Sequence, residues 1–350
     1  MVSVVILADD LTGALDSAVC FANRGMVTVV AGTIDAFAEA LRSGSDVVAV
    51  STSSREVSAK HAWQRVMEAL SCMCFNPPVL MKKVDSRLKG NIKAELDAFS
   101  QKKLKPYMFV CPAIPSQGRR VEGGRIVGKG VSEPIDIAKV VSCDLPLESI
   151  VNAQNFSDIA LALPSNMEDY LFVGAAGLAE ALAIRLRSEM PPDRQIELPS
   201  PALFAIGSRD PITKAQLDKI RSVCAIIEAP NGKNLHVQAN GRWRDVKVTI
   251  VEMVSGNETV SELEAGRAFS SGIVQRIQAN APATLLACGG ETAAAILNEA
   301  GMGLLTVKGE LLPGMPFAET VFNGQKITVV TKSGGFGAED AFERVLSSIR

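Results

Sequence analysis

Short runs of apolar residues alternate with longer stretches of helical periodicity along almost all of this chain. In the first half the runs are VSVVILA (2–8), VTVVAG (27–32), DVVAVST (46–52), PVLMKKV (78–84) and YMFVCPA (107–113). Helices are expected between them over 12–24, ended by Gly25, then over 35–43, 58–72 and from Asn91 to 100. Strands that are apolar throughout, rather than on alternate residues, belong in a largely parallel sheet with helices on both faces. Residues 115–135 are rich in Gly, Arg and Glu and read as loop or hairpin. YLFVG (170–174) and a helix over 177–188 follow.

PPDRQIELPSP (191–201) then places four prolines in eleven residues, which breaks both helix and sheet and marks a linker. The alternation restarts beyond it. ALFAIGS, CAIIEA and ATLLACGG read as strands, with helices over 211–222, 259–278 and 291–300. The stretch from CAIIEA to 258 carries no clear pattern. GLLTVKGEL, FAETVFN and KITVVTK read as strands, and a helix over 338–349 closes the chain. The expected fold class is α/β, in two domains, 1–198 and 199–350. Each is a mostly parallel sheet flanked by helices, with the active site in the cleft between them.

Composition removes several function classes. The net charge is −2 and aromatics make up 5% of the 350 residues, so neither a basic surface nor a base-stacking platform is indicated. The first apolar run stops at Asp9, too soon for a secretory leader, and no run is long enough to span a membrane. Seven scattered cysteines suit reduced thiols and a cytoplasmic setting. Cys72 and Cys74 lack zinc-ligand spacing and read as buried small hydrophobes. His61 and His236 are the only histidines, and neither sits in a nucleophilic-triad motif.

Six stretches carry candidate chemistry. Asp9 and Asp10 end the first strand, where ligands bind in open α/β sheets, with Asp16 sharing the helix face of Thr12. Such acids can bind sugar hydroxyls, hold a metal or act as general base. Helix capping by Asp10 or Thr12 is the plainer reading, and it accounts for one acid only. KKVDSRLKGN (82–91) gathers Lys82, Lys83, Arg87 and Lys89 around Asp85 and Ser86 at another strand end, with Asn91 able to cap the next helix. CPAIPSQGRR (111–120) presents Arg119 and Arg120, suited to carboxylate or phosphate. LLACGGETAAAIL (285–297) and VVTKSGGFGAEDAF (329–342) both run from strand through glycines to helix, and the second adds Lys332 and Ser333. Both suit phosphate, though neither has P-loop spacing. AIGSRDPITKAQ (205–216) places Ser208 at a strand end and Pro211 at a helix start. Gly174 and Gly177 in VGAAGLAEAL read instead as close helix–strand packing.

Eight motifs, in order along both halves, resemble the four-carbon acid sugar kinase family. They are ADDLTGALD, KKVDSRLKGN, PAIPSQGR, VGAAGLAEALA, GSRDPITKAQ, GGETA, GELLPGMP and TKSGGFGAEDAF. The resemblance implies an N-terminal sugar-acid-binding domain and a C-terminal nucleotide-binding domain. It implies ATP-dependent phosphorylation of a small sugar acid such as threonate, erythronate or 3-oxo-tetronate, with Mg2+ accompanying ATP. Asp9 and Asp10 would then be catalytic, with Asp10 favoured as base. Asp85, Ser86, Arg87, Lys82 and Arg119 would bind substrate. Ser208, Gly289, Gly290, Glu291, Thr292 and Gly334 would contact ATP. No metal ligand is assigned, no nucleic-acid or membrane partner is expected, and a homodimer is left open.

The chain departs from the family pattern in four residues. Arg87 stands where Thr is usual, Lys89 where Arg is, Gly335 where Asn is and Asp210 where Ser is. It is also shorter than is usual, within 128–170 and 224–260. Two rivals stand beside the kinase: a Mg-dependent sugar-phosphate phosphatase and a non-catalytic sugar-acid or nucleotide sensor. Dehalogenase-type phosphatases carry Asp-x-Asp after the first strand, whereas here the acids are adjacent.

Overall fold

The computed structural model describes residues 2–143, 146–191, 195–224, 226–233, 235 and 247–350. His236 and the middle of the proline-rich stretch, 192–194, lie outside the described residues. The chain forms two compact units, Met1–Pro191 and Pro192–Arg350.

The first unit begins with β1 (Val4–Ala8), α1 (Leu11–Ala22), β2 (Thr28–Ala31), α2 (Ile34–Arg42), β3 (Val47–Ser51), α3 (Ala59–Ser71), β4 (Val79–Lys83), α4 (Ile92–Lys102) and β5 (Tyr107–Cys111). An excursion follows: β6 (Arg119–Glu122), β7 (Arg125–Gly128) and β8 (Ile135–Asp136), then the short α5 (Ile137–Val140). The unit closes with β9 (Leu147–Ile150), α6 (Phe156–Ala162), β10 (Tyr170–Gly174) and α7 (Ala176–Leu186). Its main sheet runs β2-β3-β1-β4-β10-β5-β9, with every pairing parallel. All five residues of each of β1, β3 and β4 are buried, as two-sided helical cover requires. Each such Val, Leu or Ile contributes roughly 1.5–3 kcal/mol of transfer free energy. The Gly-, Arg- and Glu-rich stretch forms the antiparallel β6-β7-β8 sheet. A Cβ at Gly174 would lie 2.2 Å from the Cys111 carbonyl oxygen, and one at Gly177 2.4 Å from that of Ala113. These glycines therefore serve close packing.

The second unit contains β11 (Ala202–Ile206), α8 (Pro211–Ile220), β12 (Ile226–Pro230), β13 (Val248–Val254), α9 (Glu262–Ala279), β14 (Thr284–Cys288) and α10 (Gly290–Glu299). Then come β15 (Leu304–Leu312), β16 (Met315–Phe322), β17 (Gln325–Lys332) and α11 (Ala341–Ser347). The order is β12-β13-β11-β14-β17-β16-β15. The first five strands are parallel, and β15, β16 and β17 form an antiparallel meander.

β13 corrects the reading of 230–258 as unpatterned. Its VTIVEMV segment carries Glu252 in mid-strand, which blurs the apolar run. In the fold that carboxylate is held by Arg221 at 2.8 Å. A second correction concerns the cysteines: Cys72 is half-buried and Cys74 exposed, so they are not core hydrophobes.

Candidate active site

In a parallel sheet all strands end on one edge, so the loops that follow them gather there. In the first unit this edge carries the residues after Ala8, Ser51, Lys83, Cys111 and Gly174.

The β1–β3 pairing continues past the strand ends. Thr52 N and Oγ1 donate to the Ala8 carbonyl at 2.8 and 2.9 Å, and Ser54 N donates to that of Asp9 at 2.9 Å. This zipper delivers Arg55 to the acidic pair. Its Nε and Nη2 fork onto the two Asp9 carboxylate oxygens, both at 2.8 Å, and Nη1 reaches Asp10 Oδ2 at 2.5 Å. Asn91 does not cap α4. Its Nδ2 donates instead to the carbonyls of Ser54 (2.9 Å), Arg55 (3.3 Å) and Val57 (2.8 Å), clamping the Arg55 loop from the other side.

The two acids are differently employed. Asp9 is 1% exposed. Burial pushes its carboxyl up, but Lys82, the Arg55 fork and Lys83 outweigh burial and hold it below the usual carboxylate range. Asp10 caps α1: Oδ1 accepts from Gly13 N at 2.7 Å, and Oδ2 accepts from Thr12 Oγ1 at 3.0 Å. Asp10 also keeps a quarter of its side chain open, at 26%. The capping reading thus holds for Asp10, which is also the more exposed acid of the pair.

The basic cluster on 82–91 separates in the same way. Lys82 is fully buried, its ammonium 3.0 Å from Glu95 Oε2 and also donating to the Lys83 carbonyl at 3.0 Å. The Glu95 carboxylate also accepts the Ser54 hydroxyl. Lys82 is therefore turned onto a protein partner rather than outward to a carboxylate. Lys83 donates to the Val84 carbonyl at 2.9 Å. Asp85 Oδ1 accepts the backbone N–H groups of Arg87 (2.9 Å) and Lys89 (3.4 Å), which fixes the turn. Arg119 Nη1 donates to Ser86 Oγ at 2.8 Å and to Gln117 Oε1 at 3.0 Å. Arg120 pairs with Glu122 on the surface.

The corresponding edge of the second unit carries Gly207-Ser208, Gly289-Gly290 and 333–337. A Cβ at Gly207 would fall 2.1 Å from Thr292 Oγ1, and one at Gly334 2.1 Å from Ser208 Oγ. The three loops therefore meet with bare backbone. Gly289, at φ +110°, opens α10 without a side-chain cap, leaving Gly290, Glu291 and Thr292 at its N-terminal turn. Thr213 Oγ1 donates to the Gly334 carbonyl at 2.8 Å, and Gln216 Nε2 to those of Phe336 (3.1 Å) and Ala338 (2.8 Å). Lys332 is buried and donates to the carbonyls of Ser333 (3.2 Å) and Gly334 (3.0 Å). Burial pushes its ammonium down, against Cys288 and Asp210. It braces the loop from below. Asp210 caps α8 through Ile212 N at 2.8 Å, and its other oxygen lies 3.3 Å from where a Gly335 Cβ would stand.

Sequence reasoning missed Arg55, Glu95, Thr213 and Gln216. Arg55 had a signal: it is the one cation in the polar segment that follows β3. The two α8 residues, three apart, share the face that meets the 333–338 loop. Glu95 looks like any helical glutamate in the sequence. Among the described residues no group of three or more His, Cys, Asp or Glu gathers to hold a metal, and no helix is long and apolar enough to cross a membrane.

Two α/β units carry an acid–arginine site and glycine loops around an open helix start, and the kinases this chain is similar to over nearly its full length make it a phosphotransferase acting on a hydroxyl. Residues 4–136 match the family profile described as the sugar-binding N-terminal domain, and 203–342 that of the nucleotide-binding C-terminal domain. The chain belongs to the four-carbon acid sugar kinase family. It is 29% identical to a D-threonate kinase of Cupriavidus necator, over 96% of this chain and 95% of that one. It is 37% identical to a D-erythronate kinase of Heliobacterium modesticaldum, over 40% of this chain and 32% of that one. A solved structure from Salmonella typhimurium LT2 superposes over the full length of both chains with a TM-score of 0.83 at 18% identity, a likeness of fold.

Proposed function

We propose that this protein transfers the γ-phosphate of Mg-ATP to a hydroxyl of a four-carbon sugar acid of the threonate or erythronate type. The observation that carries the reading is the meeting of three glycine-bearing loops around the open start of α10. Bare N–H groups and a helix N-terminus suit phosphate, and the loops pack so closely that a Cβ at Gly207 would strike Thr292 and one at Gly334 would strike Ser208. The first unit would hold the acceptor and the second the nucleotide. The names of the relatives support the four-carbon acid.

Phosphoryl transfer depends mostly on positioning and charge neutralisation. Asp10, a quarter open and fixed by Thr12, Gly13 and Arg55, accepts the acceptor hydroxyl's proton as that oxygen attacks phosphorus. Asp9 holds Arg55 in place. Ser208, Gly289, Gly290, Thr292 and Gly334 cradle the phosphates, with Glu291 at the edge. Magnesium is usually held by one or two carboxylates plus phosphate and water, so a dedicated cage is not required. Asp210, beside the 333–337 loop, fits as its protein ligand, and the ion's chemistry is neutralisation of phosphate charge.

ADP release from Mg-ATP is measured with D- and L-threonate, D-erythronate and their 3-oxo forms. The expected outcome is release that depends on one of these acids. Release no faster than with ATP alone for every acid refutes the reading. Phosphate freed from sugar phosphates without ATP would establish the phosphatase instead.

A further inference from the structure

Six cations stand at the acid-binding edge of the first unit, and their partners sort them. Arg55 is committed to Asp9 and Asp10. Lys82 is buried on Glu95, and Lys83 is turned onto the Val84 carbonyl. Lys89 is exposed to solvent. Arg119 is engaged at both ends of its guanidinium, with Ser86 and Gln117 through Nη1 and with the Lys129 carbonyl through Nε at 3.2 Å. Arg87 remains. It is half-buried, and its side chain makes no hydrogen bond or ion pair with any described residue.

Arg87 is also held in place. Asp85 Oδ1 fixes its backbone N–H at 2.9 Å. Gly130, just after β7, lies against its stem: a Cβ there would sit 3.9 Å from both Cδ and Nη1. Burial, and after it the positive charge of Arg87, pulls Arg119 below its ordinary value, with Asp85 opposing. A few residues on, a Cβ at Gly90 would lie 3.3 Å from Asp9 Oδ2 and 3.4 Å from Arg55 Cγ, so the 85–90 turn adjoins the Asp9–Asp10 site. Two like charges are thus kept together at the rim, one with all its donors open. The one carboxylate in this corner, Asp85, is committed through Oδ1 to backbone N–H groups, and a guanidinium fork matches a carboxylate.

We propose that Arg87 is the specificity-determining residue that takes the substrate's carboxylate, while Arg119 is a positioning residue that holds Ser86 and the β6–β7 hairpin. The inference deepens the sugar-acid reading and rests on it. It makes the site selective for a hydroxy acid over the neutral polyol of the same carbon skeleton.

The test uses the full chain, with calorimetric binding and steady-state ADP release. The probes are D-threonate and D-erythronate beside threitol and erythritol. A charge-assisted fork is lost in Arg87→Gln, so acid affinity should fall roughly 10–100-fold. KM should rise in step, kcat should stay within a few-fold, and polyol affinity should hold. The preference for acid over polyol shrinks accordingly, and Arg87→Lys restores part of it. A merely structural role would weaken acid and polyol together, and that result overturns the proposal. So does an unchanged acid preference in Arg87→Gln, or wild-type protein that binds neither acid. Acids that bind through Arg87 without any ADP release would leave this assignment standing and remove the kinase reading.

Discussion

Asp9 and Asp10 are the same side chain with different work, and the difference is exposure. A carboxylate forked by arginine and shut from solvent orients its partner, while one left a quarter open can meet a hydroxyl. Asp10→Asn keeps the shape but removes the basic lone pair. Turnover should fall about 10²–10⁴-fold while nucleotide affinity stays near wild type, and turnover at the wild-type rate would exclude Asp10 as base. Asp9 has a different signature. Its folded carboxyl is held below the usual range, so its stabilising effect is complete at neutral pH and is lost as pH falls below about 4. Asp9→Asn should cost about 2 kcal/mol at pH 7, and the gap to wild type should narrow toward acid. Thermal midpoints taken from pH 7 to 3 read this directly, and a gap that stays constant with pH would refute it. The acids themselves were legible in the sequence, because an acidic pair directly after an apolar strand has few structural uses. Their division of labour was not, since it depends on Arg55, 46 residues away from Asp9.

The elements at the site are strand ends joined to helix starts, and the glycines decide how closely these approach. Gly207 follows β11, with Thr292 of α10 pressed against it. In Gly207→Ala the new methyl would meet three Thr292 atoms inside 3 Å. Overpacking of this kind costs roughly 1–3 kcal/mol, and here it also displaces the start of α10. ATP affinity should fall at least tenfold while sugar-acid affinity is unchanged. Calorimetry with each ligand alone checks this, and equal losses on both sides would count against it. Most strands and helices were readable from periodicity, because burial on both faces leaves unbroken apolar runs. β13 was not, because Glu252 interrupts it. Its ion pair with Arg221, the residue after α8, keeps that carboxylate satisfied. Lys332 shows the opposite limit. A lysine beside a glycine loop suggests a phosphate ligand, but its ammonium is spent on the loop's own carbonyls.

At the scale of the molecule, each unit has its own core and its own set of convergent loops. Each ligand should therefore leave its own footprint. Under hydrogen exchange, threonate alone should protect 9–13, 54–58 and 85–91. ATP alone should protect 207–213, 289–293 and 333–338. Protection of the second set by the sugar acid alone would reverse the assignment of the units. The sequence by itself determined the α/β class, the strand-end acids and the glycine loops. All of these follow from local periodicity and from the few residue types that turns and helix starts accept. Only the tertiary structure decided which charges are free. Lys82, Arg119 and Lys332 are committed to protein partners, and Arg87 is open. A charge's availability depends on neighbours brought from distant strands and helices, and no local pattern records them.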